Sequence, residues 1–204
     1  MTLVMLTQPH SAAAEAYRTL RANLALAALE KPLQVVLVIP ADPSADAASV
    51  AANLAIALAN TEQRVIAADA DLRQPALHAR FDLERVPGLV EWLNDLEAAP
   101  PLHETPAPGL RLLAAGAHEN ILAADVIASR RMAQALKALR AHADMVVVCA
   151  PPLSAYADAA VIAPHADGAL LVVAAHRTRR ADAKRAQTLL ERAHARLLGA
   201  VLLA

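Results

Sequence analysis

Two aspartates separated by one residue, Asp69 and Asp71 in the stretch Ala68-Asp69-Ala70-Asp71-Leu72-Arg73-Gln74-Pro75, form the pattern in this chain best suited to chemistry. Period-two spacing at the end of an extended segment puts both carboxylates on one side, where they can share a hard cation such as magnesium. A second reading stays open, in which they cap a helix or pair with Arg73. Upstream, Pro40-Ala41-Asp42-Pro43-Ser44-Ala45-Asp46-Ala47-Ala48-Ser49 occupies the place where its surroundings predict a phosphate-binding loop, yet it holds neither glycine nor lysine. Such a loop works because glycines let backbone N–H groups turn toward the phosphates, a lysine supplies charge and a hydroxyl binds magnesium.

Three other features carry weight. Glu15, Arg18 and Arg21 recur every third residue, so on a helix they sweep an arc of about 120° and form a compact charged stripe. That stripe suits a complementary partner surface; a local Glu-Arg contact on a solvated helix is the alternative. Cys149, the only cysteine, closes the apolar run Val146-Val147-Val148. It reads either as a reactive thiol or as a small buried residue at a strand end, with no cationic neighbour visible in sequence to lower its pKa. The eight histidines, His118 among them, lack any H-x-H or HExxH spacing, so no metal site is expected.

The elements that position these residues follow from periodicity. Residues 11–29 contain no Gly or Pro and begin at Ser11, a natural N-cap, which predicts an N-terminal helix. Residues 33–39 form a short apolar run rich in β-branched residues, the pattern of a strand buried on both faces, and residues 65–70 read as a second buried strand. A helix over 48–60 joins them into a βαβ unit. Further strands are expected at 110–114, 145–149, 169–174 and 197–203, and helices near 89–97, 123–141, 155–163 and 178–195. The proline-rich stretch 97–109 reads as a surface connection. Alternation of this kind predicts an α/β fold, a mainly parallel sheet with helices on both faces in three layers.

With 204 residues, one domain spanning 1–204 is expected. Hydrophobic residues are 57% but aromatics only 2%, so the core must be built from Ala, Leu and Val. Mean hydropathy is +0.35, yet polar residues interrupt every apolar run before the roughly 18 residues of a membrane span. Residues 1–10 lack the basic start and apolar stretch of a signal peptide, which makes a cytoplasmic location the simplest expectation. A net charge of -1 gives no bias toward nucleic acid, and the cluster Arg177, Arg179 and Arg180 reads as a solvated helix start.

Segments 11–27, 50–81, 128–152 and 166–203 together resemble the cytoplasmic domain of bacterial tyrosine kinases (BY-kinases), P-loop proteins related to the MinD/ParA ATPases. The resemblance covers nearly the whole chain. It implies a role in capsule or exopolysaccharide synthesis beside a membrane polysaccharide co-polymerase. It also implies that Glu15, Arg18 and Arg21 match the family's EX2RX2R assembly motif, and that Asp69 and Asp71 match the carboxylates that bind magnesium and activate the tyrosine hydroxyl. Aligned through the shared VAANLA, the family's PGEGKST falls on Pro43, Ser44, Ala45, Asp46, Ala47, Ala48 and Ser49, which removes both glycines, the lysine and the first hydroxyl. Asp46 would stand where phosphates lie, and a carboxylate about 4 Å from a negative charge repels it by roughly 4 kcal/mol, about three decades in affinity. Cys149 takes the place of the family's second magnesium-binding aspartate, and thiols are poor ligands for hard cations. Among these 204 residues the only tyrosines are Tyr17 and Tyr156, so no counterpart of the family's tyrosine-rich tail is expected among them.

The expectation is therefore a catalytically degenerate, kinase-like assembly subunit without a cofactor, joined to itself, to an active kinase or to the co-polymerase. A residual MgATP- or MgADP-binding tyrosine kinase is the enzyme-class alternative, with Arg73 or an arginine from another subunit replacing the lysine. A MinD/ParA-like positioning protein is the third reading.

Overall fold

Neighbouring residues of the central strands feed two separate cores. Val36 and Val38 face one side of the sheet with Ala67, Val147 and Val172, whereas Val35, Leu37 and Ile39 face the other with Ile66, Val146 and Leu171. This period of two is what continuous apolar runs become when a strand is covered on both faces. The structure is a computed structural model and describes residues 3–117 and 121–204. Met1, Thr2 and His118 lie outside the described residues.

Seven strands are present among the described residues: β1 (Val35–Pro40), β2 (Val65–Asp69), β3 (His103–Glu104), β4 (Leu110–Leu113), β5 (Met145–Cys149), β6 (Gly168–Ala174) and β7 (Leu197–Leu203). They form one sheet in the order β3-β4-β2-β5-β1-β6-β7, parallel throughout except for the antiparallel edge strand β3. The helices are α1 (Val4–Thr7), α2 (Ala12–Glu30), α3 (Ala47–Ala59), α4 (Leu77–Arg80), α5 (Leu89–Asn94), α6 (Ala123–Ala128), α7 (Arg130–Leu139), α8 (Asp158–Ile162) and α9 (Arg180–Arg192). The first four cover one face and the remaining five the other, which gives three layers.

Every residue of α3 is buried, because α2 lies over the side that the sheet leaves uncovered. Alanine at 51, 52, 55, 57 and 59 permits that double contact, since small side chains let helix and sheet approach closely. Ser11 caps α2 as expected, its hydroxyl accepting from the Ala14 N–H at 3.2 Å.

The expected helix over 123–141 is two helices. Ser129 takes an extended conformation, ends α6 and caps α7 through the Met132 N–H. The stretch 97–109 is a connection that also contributes β3. The helix expected over 155–163 shortens to α8 followed by a 3-10 turn. Among the described residues no helix is long and apolar enough to cross a membrane.

Candidate functional site at the carboxyl edge of the sheet

Adjacent parallel strands β2, β5 and β1 end side by side, and their carboxyl ends deliver Asp69, Cys149 and Pro40 to one cavity of about 250 Å3. Open α/β sheets place ligand crevices at this edge. The loop between β1 and α3 forms one wall through Pro43, Ser44, Ala45, Asp46, Ala47 and Ala48, and Asp71, Gln74 and Arg80 face it. The structure thus brings the loop, the aspartate pair and the cysteine together; it places Glu15, Arg18 and Arg21 elsewhere, on α2.

Asp46 is the N-cap of α3. Its Oδ1 accepts from the Ser49 N–H at 3.0 Å and its Oδ2 from the Ser49 hydroxyl at 2.7 Å. Arg80 donates from Nη2 to both oxygens, at 3.0 and 3.1 Å. Burial opposes ionisation of Asp46, but the two bonds from Ser49 and the guanidinium outweigh it and hold the carboxyl below its usual range. The bare carboxylate expected from the sequence is therefore a paired one. Cations do reach this loop, Arg80 of α4 at Asp46 and Arg177 near Asp42, and neither is Arg73. Asp42, buried in the same loop, is likewise held low against burial by Ser44, Thr178 and the charge of Arg177.

Asp69 ends β2 and turns its carboxylate onto the backbone that follows. Oδ1 accepts from the Asp71 N–H at 3.1 Å, and Oδ2 from the Ala76 and Leu77 N–H groups at 3.0 and 2.9 Å, at the start of α4. Complete burial dominates these donors and, with help from the Asp71 charge, pushes the Asp69 pKa up to about 7. Asp71 accepts from the Arg73 and Gln74 N–H groups at 3.1 and 3.0 Å. Burial raises its pKa as well, and the Asp158 charge adds to that against the two N–H donors. The Arg73 guanidinium itself goes to the buried Asp158, at 2.7 and 3.2 Å, and lies 4.0 Å over the Tyr156 ring. Among the described residues these carboxylates form no cluster of three or more metal-ligating side chains.

Cys149 is buried against β2 opposite Asp69. Desolvation raises its thiol pKa well above the ordinary value, the charges of Asp69, Asp71 and Asp46 push the same way, and Arg80 only partly offsets them. The thiol form prevails. Arg80, a cation whose charge acts on Cys149, was invisible in sequence because it lies in a different element.

On α2, Arg18 pairs with Glu15 at 2.9 Å and reaches the Pro9 carbonyl at 2.6 Å. Arg21 instead turns inward and donates to the Ala57 carbonyl at 2.8 Å, in the last turn of α3. Next to these, Tyr17 is partly buried; desolvation and the Asp46 charge push its pKa up to about 12 against a hydrogen bond with Asn53. Asn53 in turn donates to the Ser49 carbonyl at 2.9 Å and accepts from the Met5 N–H at 3.1 Å. Sequence reading missed Arg80, Asp158, Asn53 and Tyr17 as members of this network. The resembling segments 11–27 and 50–81 contain Tyr17, Asn53 and Arg80, whereas Asp158 lies outside all of them.

A three-layer fold with the strand-loop-helix unit β1-α3 near the centre of the sheet, and paired aspartates at the carboxyl end of β2 on the far side of β5, defines the P-loop NTPase class of fold. The MinD protein of Pyrococcus horikoshii, at 21% identity and a TM-score of 0.69 over 83% of this chain and 69% of that one, shares that fold. No protein-family model matches. The tyrosine-protein kinase YwqD of Bacillus subtilis is 32% identical over 203 residues, covering 98% of this chain and 84% of YwqD. The kinase domain of Escherichia coli tyrosine kinase ETK superposes with a TM-score of 0.92 at 27% identity, covering 100% of this chain and 80% of that domain. The chimerical protein CapA2B2 gives 0.91 at 27% identity over 98% of this chain and 88% of its own. The chain belongs to the bacterial tyrosine kinase family.

Proposed function

We propose that this chain is a non-catalytic member of its family, a pseudokinase that serves as an assembly or regulatory subunit in capsule or exopolysaccharide synthesis. The observation that carries this reading is the start of α3, where the Asp46 carboxylate takes both the Ser49 N–H and the Ser49 hydroxyl. A triphosphate draws on N–H groups at such a helix start, and the hydroxyl that would hold its magnesium, the one directly after the family's lysine, is already replaced by Ala48. With alanine at 47 and 48 and cysteine at 149 beside them, the residues present do not fit bound MgATP or MgADP. No phosphoryl-transfer step is assigned to this chain. Its partners are a second copy, an active kinase or a membrane polysaccharide co-polymerase, met through α2. The exposed Leu26 and Leu29 on that helix, at 63% and 83%, support a covered role for its outer face.

Isothermal titration of the purified protein with MgATP and MgADP tests the proposal. No saturable heat is expected, and micromolar affinity for either nucleotide would sink it. The persistence of a cavity of about 250 Å3 bordered by Asp69, Asp71 and Arg80 favours one second reading, residual kinase activity. Phosphotyrosine formed on a supplied partner protein, and lost when Asp69 and Asp71 are replaced by Asn, would establish it.

A further inference from the structure

Asp46 does at the start of α3 what a bound anion does at the start of a helix. The Ser49 N–H at 3.0 Å, the Ser49 hydroxyl at 2.7 Å and the Arg80 guanidinium at 3.0 Å all converge on its carboxylate. Backbone N–H, hydroxyl and guanidinium are the three kinds of donor that recognise an oxyanion. Here they are consumed by a group that belongs to the chain. We propose that Asp46 is a resident pseudo-ligand, and that the Asp46–Arg80 ion pair is an autoinhibitory latch that closes the cavity to oxyanions.

The parts of the latch come from two elements with separate support. Asp46 is fixed by its place ahead of α3, whose residues are all buried. Arg80 is presented by α4, and the start of α4 is held by Asp69 through the Ala76 and Leu77 N–H groups. Asp69 is thereby a positioning residue for Arg80. Both latch side chains are about a quarter exposed, 25% for Asp46 and 27% for Arg80, so the pair sits at the cavity wall within reach of an entering solute. This inference rests on the proposed non-catalytic reading and adds the means by which the site excludes phosphate: the donors exist, but their acceptor is built in.

The test is titration with inorganic pyrophosphate by calorimetry, on wild type, Asp46→Ala, Asp46→Asn and the double variant Asp46→Ala/Arg80→Ala, with circular dichroism confirming the fold of each. Removing the carboxylate frees Ser49 and Arg80 and deletes a like charge, so Asp46→Ala is expected to bind pyrophosphate on the order of 100-fold tighter than wild type. The double variant is expected to lose that gain. Asp46→Asn keeps a capping acceptor but drops the charge, and should bind about tenfold tighter than wild type. Equal affinity in wild type and in the folded Asp46 variants overturns the latch, as does a gain that survives removal of Arg80. If the alanine variant fails to fold, the asparagine variant decides alone. Binding of MgATP by wild type would remove the proposed function yet leave this comparison intact, because the latch is read as a ratio between variants.

Discussion

Asp69 and Asp46 line the same cavity and respond to pH with opposite sign. Asp69 has its pKa pushed up to about 7 by burial, so the folded state binds its proton more readily than the unfolded chain does. Its contribution to stability is complete below the unfolded value near 4 and is lost as pH rises toward about 7. Asp46 is held low, so its contribution is present above pH 4 and is lost as pH falls through the folded value. Asp69→Asn should therefore flatten the neutral arm of a plot of urea midpoint against pH, between about 4 and 7, while Asp46→Asn should flatten the acid arm. A neutral arm of unchanged slope in Asp69→Asn would show that Asp69 is ionised throughout. The three N–H donors on Asp69 ensure that the asparagine also costs something at every pH, about 1–3 kcal/mol, because one amide cannot accept all three.

At the scale of elements, α3 is the piece on which the others depend. It carries the loop at its first residue and receives Arg21 of α2 at its last turn. A cation at a helix C-terminus is favoured by the helix dipole, and a hydrogen bond to a charged group contributes about 1.5–3 kcal/mol. Arg21→Ala should lower stability by about 1–2 kcal/mol, seen as a lower urea midpoint, with the native fold kept. The strands that carry the site were legible in the sequence, because 33–39, 65–70 and 145–149 are short, mainly apolar stretches with β-branched residues, the pattern of a doubly covered parallel strand. The break at Ser129 was not, since serine is tolerated inside helices and its capping role appears only once its φ and ψ are known. Arg80 was beyond sequence reading for another reason. Its partner lies 34 positions away, and no local spacing announces a contact made by packing α4 against α3.

For the whole molecule, the inward turn of Arg21 changes how assembly should be probed. A charge reversal there disturbs the fold of the chain as well as any partner surface, so Glu15 and Arg18 are the cleaner pair. If α2 mediates self-association, Glu15→Arg and Arg18→Glu should each reduce the mass measured by light scattering while leaving the thermal midpoint within a few degrees. Exposed ion pairs contribute only about 0–1 kcal/mol to stability, so a larger loss of stability would assign them a structural role instead. Unchanged mass in both variants would remove self-association through this stripe.

The hydrogen bonds that run from Tyr17 through Asn53 to the Ser49 carbonyl end one residue's reach from Asp46. One of only two tyrosines in the chain thus sits on α2 with its phenol under the influence of the loop's charge. The protein consequently contains its own optical reporter. Ultraviolet titration of the Tyr17 phenol reads, from α2, the standing negative charge of Asp46 at the cavity wall, and replacing that carboxylate by Asn should lower the pH at which the phenolate forms.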